Sequence, residues 1–246
     1  METINIFWRN LKWRFQNPIT IVMTLIQPLI WLLLYSTIFA NSMEENYTAF
    51  ILAGILVLVV FSSAGSSGAS NYFSKIDGSF YRIHISPVKR SSIVMGHIFD
   101  AAVLSFTEIT VLLIISYLMS VHIATGLIGL ILIALLLFIT VFFVASLSYV
   151  LSLLLPNENV FHTVMNTFVL PIFFVSTALI PYDNIPDNFR FIVSINPFTH
   201  VINSLRNFIL NPTIDWQQYG FAVTLMLVFG AIFFILSIKR LQQDGR

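Results

Sequence analysis

The sequence predicts an all-α integral membrane protein with six transmembrane helices. Hydrophobic residues make up 57% of the 246 positions and charged residues 9%, and the mean hydropathy is +0.89. A soluble core of this size cannot bury so many apolar side chains, so lipid must cover many of them. Six apolar runs are long enough to cross about 30 Å of hydrocarbon at about 1.5 Å per residue. The predicted spans are residues 19–40, 47–70, 93–120, 126–155, 160–180 and 219–238.

Several classes of function are disfavoured by what the sequence lacks. Without cysteine, it has no disulfide, thiolate metal site or cysteine nucleophile. No basic run with interleaved aromatic residues suggests nucleic-acid binding. The sequence contains no G-x-x-x-x-G-K-[ST] motif, the kind of loop that holds ATP phosphates. It also contains no H-E-x-x-H or G-x-S-x-G motif of the kind found in enzymes. We therefore expect a non-enzymatic chain that binds no cofactor and no metal.

Residues 1–18 are predicted to form an amphipathic helix that lies in the membrane interface. Its apolar residues recur at helical spacing, its cations share another face, and Asn17-Pro18 ends it. A signal peptide is the competing interpretation, but the next apolar run, residues 19–40, is too long for a signal core. The apolar face comprises Ile4, Phe7, Trp8, Leu11 and Phe15, and the polar face comprises Arg9, Lys12 and Gln16.

The second span ends in the small-residue segment SSAGSSGAS. Glu44 and Glu45 in residues 41–46 precede this span and indicate a short outside loop. Ala64 and Gly68 lie one helical turn apart, a spacing that allows close approach of two helix backbones. Helix packing is the favoured interpretation of this segment, and a role in lining a substrate path is the alternative.

The polar interval at residues 71–92 is predicted to be cytoplasmic. It carries Lys75, Arg82, Lys89 and Arg90 against the single acid Asp77, and short cationic loops remain on the cytoplasmic side. Apolar residues within it indicate a short amphipathic piece that either docks a partner or lies as a solvated or lipid-binding loop. These apolar residues are Phe80, Ile83 and Val88.

The third span contains the two intramembrane acids, Asp100 and Glu108. Carboxylates in hydrocarbon must face the bundle interior, pair or be protonated. His97 lies one turn from Asp100 and three turns from Glu108, on nearly the same face. A transport path or proton-linked site is one interpretation, and interhelical hydrogen bonding is the other.

The last part of the chain alternates apolar spans with proline-rich segments. Residues 122–126 are predicted to turn outside and residues 156–159 inside, and Pro171 is expected to kink the fifth span. His162 and Asn166, at i and i+4 on that span, are weak catalytic candidates together with Glu108, and the favoured interpretation of His162 is a polar helix-packing residue near the inner surface. Residues 181–218 are divided by prolines and contain a helical repeat of apolar residues. Two short helices on or dipping into the outer leaflet, or a loop with one surface helix, would account for it.

The distribution of cations supports this layout. Only Arg190 and Arg206 of the 12 Lys and Arg residues fall on the predicted outside. Both termini are therefore expected to be cytoplasmic. The predicted inside cations are Arg9, Lys12, Arg14, Lys75, Arg82, Lys89, Arg90, Lys239, Arg240 and Arg246.

Two segments together resemble the ABC-2 type permeases. Residues 170–210 are similar to the C-terminal signature of that family, in which an apolar helix with a central proline precedes P-x-x-x-(I/L)-P, N-P-(F/L)-T and an arginine. Residues 77–98 are similar to its acid-Gly segment, followed by a Pro-Val-x-Arg element and a glycine. One departure is Ser176-Thr177-Ala178, where many members have a Ser-Gly pair. The matching positions are Pro171, Ser176, Pro181, Pro186, Asn196, Pro197, Phe198, Thr199 and Arg206, with Asp77, Gly78, Pro87, Val88, Arg90 and Gly96.

The resemblance implies the permease subunit of an ATP-binding-cassette exporter in the bacterial plasma membrane. Residues 19–243 would form its ABC-2 transmembrane domain, paired with a second copy or a paralogue. Separate ATPase subunits would bind ATP and Mg, and residues 79–91 would form the coupling helix that contacts them. The implied ATPase-coupling residues are Asp77, Gly78, Phe80, Arg82, Pro87, Val88, Lys89 and Arg90. The implied outer cap contains Pro181, Pro186, Asn196, Pro197 and Arg206, and the transport-path candidates are Asp100, Glu108 and Ser176.

Two hypotheses about the cargo and one alternative for the energy source remain open. An amphipathic drug, peptide or lipid-like molecule is favoured by the modest length of the chain and by the lack of an added domain. A polysaccharide or teichoic acid would suit the same family. A proton-coupled secondary transporter would instead use Glu108, Asp100 and His97 as titrating groups, and its transport would persist without ATP.

Overall fold

A computed structural model describes residues 18–39, 47–85 and 88–243, together with the isolated positions Thr3, Phe7, Trp8 and Lys12. Most of the predicted interfacial helix, the acidic loop at residues 41–46, Pro87 and Arg246 lie outside the described residues. The described secondary structure is helical. The helices are α1 (Pro18–Ile38), α2 (Tyr47–Ile76), α3 (Ser79–Ile85), α4 (Arg90–Leu118), α5 (Gly126–Leu154), α6 (Glu158–Phe174), α7 (Asp187–Ile195), α8 (Pro197–Leu210) and α9 (Trp216–Gln243), with a 3₁₀ turn at Tyr182–Asn184.

The central element of the bundle is α2. It contacts α1, α3, α4, α5, α6 and α8, and most of its apolar residues are buried. In contrast, α9 packs on α5 and α8 and exposes most of its apolar surface. An apolar helix buried on all sides belongs in the interior, and apolar surface left exposed is suited to lipid.

Four of the described helices are long and apolar enough to cross a membrane by length and composition. These helices are α2, α4, α5 and α9. The chain is thus a multi-pass membrane protein. The apolar part of α1 is shorter, Val22–Ile38, and α6 has 17 residues. The six-span layout therefore stays a prediction at α1 and α6.

Two helices end six residues away from the predicted end of the corresponding span, each for a local reason. The second span was placed at residues 47–70, but α2 continues to Ile76. Its last turns remain helical because their side chains satisfy the end of α5: Tyr72 Oη donates to the Leu155 carbonyl at 3.2 Å and Lys75 Nζ to the Ser152 carbonyl at 3.2 Å. The fifth span was placed at residues 160–180, but α6 ends at Phe174, where Ser176 Oγ accepts from the Ala178 N–H.

The small-residue segment of α2 allows close helix packing, as its sequence predicts. A Cβ atom on Gly68 would overlap Ser148 Oγ on α5 and lie 3.1 Å from the Ser148 carbonyl oxygen. Ser148 Oγ donates to the Ala64 carbonyl at 2.8 Å. The packing interpretation of Ala64 and Gly68 is therefore confirmed.

Replacing Gly68 with alanine is expected to destabilise the bundle. The added methyl group must displace the α5 backbone, and overpacking of this kind costs about 1–3 kcal/mol. We expect the Tm of purified Gly68→Ala in detergent to fall by about 3–8 °C, measured by intrinsic fluorescence.

Gly220→Ala is the matched control, because nothing lies within 4 Å of a Cβ atom at that helical position. Its Tm should stay the same or rise slightly, since alanine favours helix by up to about 1 kcal/mol. Equal Tm values for the two variants would contradict the close contact at Gly68.

Candidate functional site

A groove lies between α1, α2 and α6. Its wide chamber is open to the surroundings and has a volume of about 1250 Å³, counted up to its open side. Apolar residues such as Phe61, Met165 and Val169 form part of the wall, but many lining side chains are polar. The polar ones are Thr24, Gln27, Ser62, Ser66, Glu158, His162 and Asn166.

A narrow channel lies next to the chamber, toward Leu179, and is barely wide enough for water. Gln27 and Leu58 line both spaces, so the chamber and the channel are neighbours, and together they are called the groove. The channel is lined by rings, from Trp31 and Tyr35 on α1 and from Phe173 and Phe174 at the end of α6. The groove therefore changes from wide and polar near Glu158 to narrow and aromatic near Leu179.

An aromatic ladder extends from this channel. Ring centroids lie 5.3 Å apart for Trp31–Tyr35, 5.9 Å for Tyr35–Phe39, 5.1 Å for Phe39–Tyr47 and 5.7 Å for Tyr47–Phe50. The first three rings repeat at i, i+4 and i+8 on or just after α1, which aligns them along one face. The ladder crosses to α2 at Tyr47 and thereby connects the outer turns of both helices.

Arg206 on α8 packs against Phe50, the last ring of the aromatic ladder. Its guanidinium lies 3.5 Å from the centroid of the Phe50 ring, a cation–π contact. It also donates to the carbonyl oxygens of Thr177, at 2.5 Å, and Phe50, at 3.4 Å. Burial lowers the pKa of Arg206 to about 10, so it stays charged at neutral pH. Arg206 thus holds α2, α8 and the turn after α6 together.

Asn196 joins the end of α6 to the start of α8. Its amide nitrogen donates to the carbonyl oxygens of Ile172, at 2.7 Å, and Val175, at 2.8 Å. Its amide oxygen accepts from the Phe198 N–H at 3.0 Å, as the N-cap of α8. The last carbonyl groups of α6 and the first N–H groups of α8 have no partner within their own helices, so in an apolar setting they need hydrogen bonds from elsewhere. One buried side chain therefore caps two helices.

The prolines of the implied outer cap start local elements. Pro181 precedes the 3₁₀ turn, Pro186 precedes α7, and Pro197 is the first residue of α8, where the missing N–H costs nothing. The interval holds two short helices, and α8 is not a surface helix: Phe198, Val201, Ile202, Leu205 and Phe208 are buried against the bundle.

At the opposite end, the ATPase-coupling candidates surround α3. Gly78 has φ +74°, a conformation that glycine adopts without strain, and Asp77 Oδ1 accepts from the Ser79 N–H at 2.8 Å. Apolar residues of the segment pack against the core, whereas Tyr81, Arg82 and Lys89 are exposed. Arg90 is half-buried at the start of α4. The packed residues are Phe80, Ile83 and Val88.

The three transport-path candidates do not line the groove. Asp100 and Glu108 are buried on α4, and Ser67 Oγ lies 3.0 Å from both Asp100 Oδ2 and the His97 carbonyl oxygen. Ser176 is buried in the turn after α6, where its hydroxyl donates to the Phe173 carbonyl at 2.5 Å. The structure places all three among packed backbone and side chains.

Other polar residues on α6 line the groove, although the sequence did not predict this for them. His162 and Asn166, considered there as catalytic candidates with Glu108, line the groove with Glu158, whereas Glu108 does not. His162 Nε2 lies 3.5 Å from Glu158 Oε1. The spacing of these α6 residues at i, i+4 and i+8 in an apolar span was the signal that could have identified this face.

The comparisons with known proteins all point to transporters. The family model described as "ABC-2 type transporter" matches residues 1–210. The chain is 30% identical to transport permease ycf38 of Cyanophora paradoxa, over 78% of this chain and 68% of the relative. It is also 30% identical to transport permease ycf38 of Porphyra purpurea, over 83% of this chain and 71% of the relative. The ABC transporter G family member 20 of Dictyostelium discoideum is 30% identical over 85% of this chain and 29% of its own length.

Asn196→Asp is expected to weaken the outer cap specifically. Aspartate keeps the oxygen that caps α8 but loses both donors to α6, and unsatisfied buried carbonyl groups cost about 1–3 kcal/mol. The Tm in detergent should fall by about 5 °C. Asn211→Asp, at the exposed C-cap of α8, should leave the Tm unchanged; a similar fall in both variants would argue against the double cap.

Proposed function

The chain belongs to the ABC-2 type transporter family, and from that membership we propose that it is the permease of an ATP-driven exporter. Its family comprises transport permease subunits rather than catalytic enzymes. A separate ATPase chain would bind ATP and Mg. The observation that carries the proposal is the groove between α1, α2 and α6, which offers a path with both polar and apolar walls.

A second permease copy, or a paralogue, would complete this path. His162 and Asn166 are exposed on α6 in the single chain. Hydrogen-bonding side chains on a membrane helix are unfavourable against lipid and are suited to a water-filled path or a protein partner. Pairing two chains across their grooves would remove these groups from lipid and enclose the chamber.

The inside end of the bundle would contact the ATPase through α3. Because Phe80 and Ile83 pack against the core, they hold α3 on the permease. Tyr81 and Arg82 on the exposed side of α3, with the exposed Lys89 just before α4, would contact the partner. Aromatic and cationic residues at a protein interface supply contact area and charge complementarity.

The membrane arrangement follows from the same proposal. Six spans, α1, α2, α4, α5, α6 and α9, would place α3 and both termini in the cytoplasm of a bacterial cell and the α7–α8 cap at the outer face. The excess of cations at the α3 side supports this orientation. Cargo would enter the wide chamber and leave through the narrow channel.

Two other cargo or energy schemes have weaker support. Asp100 and Glu108 are packed in the core and do not line the groove, so a proton-coupled transporter would need a path that the described cavities do not include. A polysaccharide or teichoic acid would fit the family, but the narrow channel suits a smaller molecule.

The first test is capture of the ATPase. Purification in mild detergent from cells with the chromosomal neighbours intact should recover an ATP-hydrolysing subunit, identified by mass spectrometry. We expect the double variant Arg82→Glu, Lys89→Glu to reduce recovery by about tenfold, since reversing charges at an interface costs more than 1 kcal/mol.

Lys239→Glu is the control for this experiment, because Lys239 is an exposed cation at the same end of the bundle but on α9. It should recover the ATPase normally. Normal recovery with the double variant would overturn the docking assignment, and purification of the chain alone, without ATPase activity, would overturn the ATP-driven proposal.

A further inference from the structure

The C-terminal end of α5 is held by side chains from the last turns of α2. Lys75 Nζ donates to the Ser152 carbonyl oxygen and Tyr72 Oη to the Leu155 carbonyl oxygen, each at 3.2 Å. Asn71 Nδ2 donates to Ser152 Oγ at 3.1 Å. Carbonyl groups in the last turn of a helix have no partner within that helix, so such donors take the place of water. Lys75 also adds a positive charge, which is favourable at a helix C-terminus.

The amine of Lys75 contacts α3 as well. It lies 5.5 Å from the centroid of the Phe80 ring and 5.1 Å from that of the Tyr72 ring, both within the range of a cation–π contact. The positive φ of Gly78 turns the chain back at this point, so that Phe80 comes to lie beside the last turn of α2. One amine therefore joins α3 to both α2 and α5.

The apolar contacts of α3 leave this helix room to shift. Phe80 and Ile83 pack against the core, but they also border a small cavity whose wall includes His97 of α4 and Tyr149 of α5. Apolar contact has no preferred direction. A hydrogen bond weakens steeply when it is misaligned, so the bond from Lys75 fixes where α3 lies relative to α5.

Resting on the proposed function, we infer that Lys75 is a positioning residue that couples α3 to the C-terminal end of α5. When an ATPase moves α3, the Phe80 ring carries the amine with it, and the amine moves the Ser152 carbonyl group. Without the amine, α3 stays attached to α2 through Gly78 and still presents its exposed side to the ATPase. The end of α5 then no longer follows α3.

The first test measures the position of α3 relative to α5 in the purified permease in nanodiscs. The sequence contains no cysteine, so Tyr81→Cys on α3 and Leu154→Cys on α5, both at exposed positions, can carry spin labels. Double electron–electron resonance should give one narrow distance distribution. Lys75→Met keeps the length of the side chain but loses its charge and donors, and it should broaden the distribution about twofold. Lys75→Arg keeps the charge and donors and should leave it narrow.

Two control variants accompany this measurement. Tyr72→Phe removes the other 3.2 Å bond from α2 to the end of α5 but keeps the ring beside Lys75. Lys239→Met removes an exposed cation at the same end of the bundle. Both should keep the narrow distribution, and Tm measurements show that each variant is folded. A narrow distribution in Lys75→Met, or equal broadening in Lys75→Arg or a control, would overturn the inference.

The second test follows the end of α5 in the complex captured with its ATPase. Spin labels at Ile19→Cys on α1 and Leu154→Cys on α5, both exposed, report one distance with and without ATP and vanadate. We expect Lys75→Met to recover the ATPase and to hydrolyse ATP normally, but to lose most of the nucleotide-dependent change in this distance. No such change in the parent complex, or the full change in Lys75→Met, would overturn the inference.

Failure of this inference is distinguishable from failure of the proposed function. If no ATPase is captured, the energy source that the proposed function assigns is wrong, whereas the distances in the permease alone still report whether Lys75 positions α3. If the ATPase is captured and the distances do not depend on Lys75, only the positioning role is wrong.

Discussion

Backbone carbonyl groups that leave a helix in an apolar environment need protein donors, and the segment after Pro171 depends on this constraint. Asn196 donates to Ile172 and Val175, and Arg206 donates to Thr177. Tyr47 Oη donates to the Leu179 carbonyl at 3.2 Å. Without water to replace them, each of these bonds holds the turn in one geometry. The wall of the channel formed by Phe173 and Leu179 is positioned by the same bonds.

The second constraint is the closeness of α2 to its neighbours. A Cβ atom on Gly54 would lie 2.8 Å from the Ala178 Cβ, so glycine on α2 accommodates a small residue in the turn. Ala178, which belongs to the departure from the family signature at Ser176-Thr177-Ala178, fits against α2 because position 54 has no side chain. Close approach in membranes depends on such small residues rather than on hydrophobic burial.

The sequence predicted the helices well and the site only in part. Hydropathy and small-residue spacing identified α2, α4, α5 and α9 and the contact at Gly68, because both signals are local. The groove could not be predicted, since it depends on which faces of α1, α2 and α6 converge. Intramembrane charge pointed to Asp100 and Glu108, but that signal does not distinguish packing from a path. Gln27 gave no comparable signal, whereas Asn166 could have been identified by its spacing with His162 and Glu158 on α6.

The position of α2 connects the two ends of the groove. Its 30 residues form a rod about 45 Å long at 1.5 Å per residue. Its C-terminal end joins α3 through the Asp77-Gly78 turn, and its N-terminal end carries Tyr47 and Phe50 of the aromatic ladder. Between them, Ser62 and Ser66 line the wide chamber. Because one rigid helix bears all three features, a tilt of α2 imposed at α3 would change the chamber and the ladder together. If α3 binds an ATPase, as proposed, such a tilt would reach the channel without a separate signal at the N-terminal end of α2.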